Sequence, residues 1–216
     1  MSTVRNIVRF LALLIVLVLA SAGPGAAQSL RVSGLSSASP EPLLDGVTGF
    51  AVFGDVDVMS WLIVFAGITR STADSERQGT ACGVFRPYPV DCTTDRLAEH
   101  VSLLSYRVGG QLSVDAFESV RVGAGLGGSL NEIRSRSRGV TSNLPGTLYS
   151  PPSGNMGVFL EARAAWSLLY NLALVASATH SWISFQGCRD NDLDYAPFCG
   201  GERLVEVHLG LAYRLF

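Results

Sequence analysis

From residue 48 onward, apolar side chains recur at every second position in segment after segment. That period belongs to an extended strand with two unlike faces, not to a helix. In 205–215, Val205, Val207, Leu209, Leu211, Tyr213 and Leu215 alternate with Glu206, His208, Gly210, Ala212 and Arg214. In 158–167, Val158, Leu160, Ala162, Ala164 and Trp166 oppose Gly157, Phe159, Glu161, Arg163 and Ser167. In 119–130 one side holds Val120, Val122, Ala124, Leu126 and Leu130, and the other Arg121, Gly123, Gly125, Gly127 and Ser129. Leu104, Tyr106, Val108, Leu112 and Val114 oppose Ser105, Arg107, Gly109, Gln111 and Ser113, and Phe50, Val52, Val56 and Val58 stand against Asp55 and Asp57. Residues 61–70 and 172–185 have strand composition without a clear facing, and 29–37 is a weaker first strand. The pattern predicts an all-β chain of eight strands.

The connections alternate in length. Short turns fall near 59–60, 115–118 and 169–171, and longer polar links near 40–46, 71–98, 137–153 and 187–201. Short turns at one end and long loops at the other describe an up-and-down antiparallel meander. Composition removes other classes. With 23 glycines in 216 residues a helical bundle or coiled coil is excluded, because glycine weakens helices. A formal charge of -2 speaks against a nucleic-acid binder, which must neutralise phosphates with excess cations.

The first 27 residues read as an export signal, with the mature domain at 28–216. Arg5 and Arg9 precede an apolar run from Phe10 to Ala20, followed by small residues that offer cleavage after Ala22 or after Ala27. The run is too short for a bilayer-spanning helix, which needs about 20 residues. Export makes the four cysteines readable. Cys82 and Cys92, and Cys188 and Cys199, form two local pairs whose short separations favour two disulfide-closed loops in an oxidising compartment. A zinc site is the alternative, but no histidine stands near either pair and the spacings match no zinc motif.

The faces discriminate between two kinds of barrel. A soluble eight-stranded barrel is apolar inside, whereas a membrane barrel turns its apolar face to lipid and its polar face to the lumen. The polar faces here carry Asp55, Asp57, Arg107, Arg121, Glu161, Arg163, Glu206 and Arg214 with glycines between them, both signs present, as a charge network filling a narrow lumen requires. Only 16% of residues are charged, too few for a water-facing exterior, so the membrane barrel is favoured. Trp61, Tyr106, Trp166, Trp182 and Tyr213 are candidates for interfacial girdles.

At this point the chain resembles the small eight-stranded outer-membrane barrels of Gram-negative bacteria, the OmpA/OmpX-like family. The resemblance spans nearly all of the mature chain as pattern. Its most specific part is the end, Gly210-Leu-Ala-Tyr-Arg-Leu-Phe216, which is similar to the family's C-terminal assembly signal. Phe216 departs from that pattern by lying one residue out of phase with Tyr213 and Leu215. The resemblance implies a bacterial outer-membrane location, contact with outer-membrane lipid and lipopolysaccharide, and assembly by the outer-membrane insertion machinery. It implies no cofactor.

Few residues suggest chemistry. Some barrels of this kind act on lipid A through His, Ser and an acid, and His180-Ser181 with Glu206 or Glu202 is the candidate here. Adjacent strand residues point to opposite faces, however, and Ser184 stands about 13 Å from His180 along a strand, beyond the reach of a base. Asp190, Asp192 and Asp194 imitate the start of a calcium loop but lack its glycine and its twelfth-position glutamate. The basic run Arg134-Ser-Arg-Ser-Arg138 offers guanidinium contacts to lipopolysaccharide phosphates or a solvated rim. The leading expectation is a structural or surface-interaction protein with a side-chain-filled lumen and disulfide-stapled outer loops that meet an extracellular ligand. A lipid A-modifying enzyme and a soluble barrel binding an apolar ligand are the alternatives.

Overall fold

The computed structural model describes residues 28–39, 46–83, 91–139, 148–149, 155–185 and 200–215. Eight of its nine strands close an antiparallel barrel: β1 (Gln28–Ala38), β2 (Thr48–Met59), β3 (Leu62–Gly83), β4 (Asp91–Phe117), β5 (Val120–Gly139), β7 (Asn155–Leu169), β8 (Leu172–Phe185) and β9 (Gly200–Arg214). The two-residue β6 (Leu148–Tyr149) lies against β5 at Arg136 and Ser135. The last strand returns to the first, from Arg214 opposite Ser29 to Val205 opposite Ala38, which closes the wall. Closure satisfies the backbone groups that an open sheet edge would expose to lipid.

Three two-residue turns, Ser60-Trp61, Glu118-Ser119 and Tyr170-Asn171, sit at one end. The described chain also begins and ends there, where the Leu215 amide donates to the Gln28 carbonyl at 2.7 Å. In outer-membrane barrels the short turns are periplasmic, which orients the molecule.

The wall is apolar outside and polar inside. Leu112, Val114, Leu126, Val158, Leu160, Val207 and Leu209 are each more than half exposed, while Ser105, Gln111, Asn131, Thr179 and Glu206 are buried. This inverts the polarity of a soluble barrel. The outward apolar band covers 104–114 in β4, 156–166 in β7 and 205–215 in and just beyond β9, about eleven residues each, the length a tilted strand needs to cross a bilayer. Trp61, Trp166 and Tyr213 lie at its periplasmic margin, and Tyr106 and Trp182 toward its outer margin.

The segment 71–98, expected to be a long polar link, is mostly strand. The pairing of β3 with β4 runs unbroken from Leu62 opposite Leu112 to Gly83 opposite Asp91. Above the lipid both faces of a strand meet water, so the apolar alternation ends while the hydrogen-bond ladder continues. On the other side β2 leaves β3 at Thr48 opposite Thr72, whereas β4 and β5 stay paired up to Leu97 opposite Gly139. The wall formed by β3, β4 and β5 is therefore taller than the rest.

The two strands whose facing the sequence leaves open are also resolved. Ile63, Phe65, Thr69, Ser71 and Ala73 of β3, and Val175, Ser177, Thr179, Ser181 and Ile183 of β8, face the lumen. Hydrophobicity does not mark their faces because the lumen contains apolar layers of its own. At its outer end Val47, Ala73, Val101, Leu103, Ile133, Ile183 and Leu204 form one buried cluster. Nearer the periplasm lie Leu35, Ala51, Phe53, Phe65 and Phe159.

Each of those three phenyl rings stands directly opposite a glycine on the next strand: Phe53 opposite Gly67, Phe65 opposite Gly109, and Phe159 opposite Gly127. A Cβ on Gly67 would lie 2.2 Å from the Phe53 ring, one on Gly109 2.7 Å from Phe65, and one on Gly127 2.5 Å from Phe159. The inward glycines thus make room for rings laid flat across the neighbouring strand. Phe65 packs against Phe53 at 6.1 Å and Phe159 at 6.0 Å between centroids, within the range of favourable aromatic pairs.

Candidate functional site

Beneath and between these rings the lumen is charged. Arg31 on β1 donates to Glu161 on β7 at 2.8 Å and stands 3.7 Å from Asp55 on β2. Arg163, two residues along β7, closes the ring with 3.2 Å to Asp55 and 3.1 Å to Glu161. A second pair, Arg107 on β4 with Glu206 on β9, is fully enclosed. The phenyl rings serve both groups. The Arg31 guanidinium lies 4.3 Å from the Phe53 centroid, Arg163 5.3 Å from Phe65 and Arg107 5.6 Å from Phe159. Desolvated cation–π contacts of this kind contribute up to about 2 kcal/mol.

A third group lies at the periplasmic mouth. Arg121 donates to Asp115 at 2.8 Å and to Asp57 at 3.4 Å, and Arg214 stands 3.8 Å from Asp57. Asp115 lies below the apolar band, in water, where the Arg121 hydrogen bond and charge hold its carboxyl below the usual carboxylate range. Five arginines, at 31, 107, 121, 163 and 214, thus meet five carboxylates, at 55, 57, 115, 161 and 206. The balance matters because a buried charge left unpaired is very costly.

Of the eight charges picked out from the sequence, Asp55, Glu161 and Arg163 share the central ring, Arg107 and Glu206 the enclosed pair, and Asp57, Arg121 and Arg214 the mouth. Sequence reasoning missed Arg31, which is 2% exposed, because the strand around it alternates with serine and glycine. It also missed Asp115, placed in a turn, and the lumenal role of the three phenylalanines. The phenylalanine–glycine pairing was detectable only once the register was known.

Below the central ring the lumen opens into a vestibule of about 310 Å³, lined by Asp55, Asp57, Gln111, Arg121, Arg163 and Arg214 among others. Above the ring the phenyl layer and the outer apolar cluster fill the barrel, so the vestibule is blind.

The remaining candidates are dispersed. His180 lies on the outward face with its ring 4.3 Å from that of Trp182, while Ser181 points inward and is 1% exposed. Ser184 is outward and exposed, and Glu206 is committed to Arg107. No hydroxyl–imidazole–acid cluster forms from these residues. The backbone register sets Cys82 directly opposite Cys92. Cys188, Cys199, Asp190, Asp192, Asp194 and Phe216 lie outside the described residues. Tyr213 and Leu215 face outward and are about half exposed. Arg134 is exposed and outward, just above the apolar band.

A closed, inside-out barrel of eight antiparallel strands with short periplasmic turns is the architecture of the small outer-membrane barrels, and its location is the bacterial outer membrane. Solved structures agree in fold. The chain is similar to a major outer membrane protein from Thermus thermophilus, at 18% identity and TM-score 0.59, over 88% of this chain and 100% of that one. It is similar to Neisserial surface protein A at 14% identity and TM-score 0.55, over 88% and 97%. It is also similar to Ail, the attachment invasion locus protein of Yersinia pestis, at 12% identity and TM-score 0.50, over 88% and 97%. No protein-family model matches the chain, and no curated protein matches it.

Proposed function

We propose that this is a structural and surface-interaction protein of the outer membrane, whose working part is its outer rim and loops. The observation that carries this reading is the tall wall. The β3–β4 ladder continues past the lipid band to Gly83 opposite Asp91, lifting a paired extension above a barrel whose lumen is blocked. Directly opposed residues of an antiparallel pair lie about 4.5–5.5 Å apart at Cα, within the span of a disulfide, so the Cys82–Cys92 register supports a staple near the hairpin tip. A Cys188–Cys199 bond, export with loss of residues 1–27, and assembly through the 213–216 signal complete the proposal. The contact chemistry nearest the membrane includes exposed guanidinium groups, with Arg134 standing 3.9 Å from Glu132. Arg70, Arg134 and Arg203 face outward just above the apolar residues Ile68, Leu130 and Val205. Guanidinium groups at that height suit lipopolysaccharide phosphates by charge-assisted hydrogen bonding.

The test is to express the mature chain in an outer membrane, delete residues 84–90 between β3 and β4, and score binding of whole cells to host-surface glycans and proteins. Loss of binding with an unchanged heat-modifiable band supports the reading. A change in lipid A mass on overexpression that disappears in His180→Ala would replace it with the enzyme reading, against which the opposite facing of His180 and Ser181 stands.

A further inference from the structure

We propose that the outer edge of β3, residues 73–83, takes an additional strand: an extended segment of an extracellular protein with Lys or Arg at alternate positions. The proposal rests on the surface-interaction reading and names the chemistry of the partner.

Three strands rise above the lipid band, and their two flanks differ. On one flank β5 passes β7 beyond Asn131, and β6 of this same chain pairs with it at Ser135 and Arg136. On the other, β2 leaves β3 at Thr72, and no described residue pairs with the free side of β3 from Ala73 to Gly83. The link 39–47, which contains Pro40 and Pro42, is shorter than that edge.

The hydrogen-bond phase tells which groups are open. The Trp61 carbonyl accepts from the Ser113 amide at 2.8 Å, so the odd-numbered residues of β3 bond toward β4. The backbone amides and carbonyls of Asp74, Glu76, Gln78, Thr80 and Cys82 therefore point to the open edge, above the bilayer. Such a row of unpaired groups is a template for strand addition.

Charge selects the strand. Asp74 and Glu76 continue the outward set of Ile68 and Arg70 and are both exposed, the Asp74 side chain to 84%. The cations of that face, Arg96 and His100, stand on β4, one strand back from the edge. His100 Nδ1 lies 2.6 Å from Asp74 Oδ1. Arg77 belongs to the other set of alternating positions. An added strand would thus meet the two carboxylates first. Its directly opposed side chains would start about 4.5–5.5 Å away at Cβ, where opposite charges attract and like charges repel. The same pair refuses acidic strands.

The experiment uses the mature protein in detergent micelles and a peptide as long as the edge, alternating Lys with Thr. One control replaces Lys by Glu; the other replaces Thr by Pro, which removes backbone donors and keeps the charge. The expected result is saturable binding of the Lys–Thr peptide, slowed hydrogen exchange at the amides of 76, 78 and 80, and binding of either control weaker by about tenfold or more. Asp74→Lys with Glu76→Lys should reverse the preference toward the Glu peptide. Gln78→Pro removes an edge donor without touching the β3–β4 ladder, and should weaken binding about tenfold with an unchanged heat-modifiable band. Equal binding of the Lys and Glu peptides would overturn the charge selection, and equal binding of the Thr and Pro peptides would reduce the edge to a plain ionic contact. Absence of binding by any peptide would overturn the proposal outright. Whole-cell binding that is lost on deleting 84–90 but survives Gln78→Pro would overturn the edge and leave the surface role standing.

Discussion

The outer end of the lumen and its middle use the same inward positions of the same strands, yet hydrocarbon seals one and charge the other. Val101 and Leu103 lie on the same face of β4 as Arg107, and Leu204 on the same face of β9 as Glu206. The apolar cluster excludes water by shape and asks little of its neighbours beyond volume. The charged layer demands particular partners from distant strands: Arg31 must find Glu161, and Arg107 must find Glu206. A one-residue slip in any of these strands would bring lumenal charges to lipid, so the charged layer fixes register where the apolar layer only fills space. Lipid-facing and lumen-facing glycines differ in the same way: Gly34, Gly110 and Gly128 have nothing nearer than 3.9 Å, whereas rings fill the hollows at Gly67, Gly109 and Gly127, and Gln111 fills those at Gly123 and Gly125.

The largest expected effect tests the enclosed pair. Glu206→Ala should destabilise the barrel by about 3–5 kcal/mol, because it leaves the Arg107 guanidinium buried without its counter-charge. The readout is the urea midpoint of the heat-modifiable band. Replacing both partners, Arg107→Met with Glu206→Leu, should recover most of the loss. If the single and double variants unfold alike, the charged layer is only packing and the contrast with the outer cluster collapses.

Next comes glycine placement. Gly127→Val should cost about 1–3 kcal/mol through overpacking, since its Cβ would lie 2.5 Å from the Phe159 ring and 2.3 Å from the Val108 carbonyl oxygen. Gly128→Val, on the outward face, has nothing nearer than 3.9 Å and should leave the folded fraction on unboiled gels nearly unchanged. Equal effects at the two positions would deny that the rings occupy the glycine hollows. Smaller still is the outer cluster: Ile133→Val removes one methyl and should cost about 0.5–1.5 kcal/mol, measured by the same urea midpoint.

These contrasts also show what the sequence could reveal. The strand count, the short periplasmic turns and the facing of β4, β5, β7 and β9 follow from period-two alternation, because lipid on one side enforces it. The signal fades wherever that constraint lapses. Around Phe65 and Val175 the lumen is itself apolar, so both faces read alike. Around Thr80 and Thr94 the sequence carries no apolar alternation, so a continuous ladder reads as a loop. Which charges belong to which cluster was less legible, because pairs such as Arg31 with Glu161 are 130 residues apart and meet only when the barrel closes.

The smallest effect lies at the mouth, where Asp115 carries a charge that is not buried. Asp115 keeps 69% of its side chain exposed, so water and salt screen its bond to Arg121. Asp115→Asn should therefore cost roughly 0.2–1 kcal/mol at neutral pH, far below Glu206→Ala although both remove a carboxylate from an arginine. Its pH dependence has a defined sign. The folded carboxyl titrates below the unfolded one, so its contribution is present above about pH 4 and is lost as the pH falls through the lowered value. Urea unfolding of wild type and Asp115→Asn should differ slightly at about pH 7 and converge as the pH is lowered past that range. A difference that persists or grows in acid would mean that Asp115 acts through shape rather than charge. The mouth would then belong with the outer cluster instead of with the ion pairs above it.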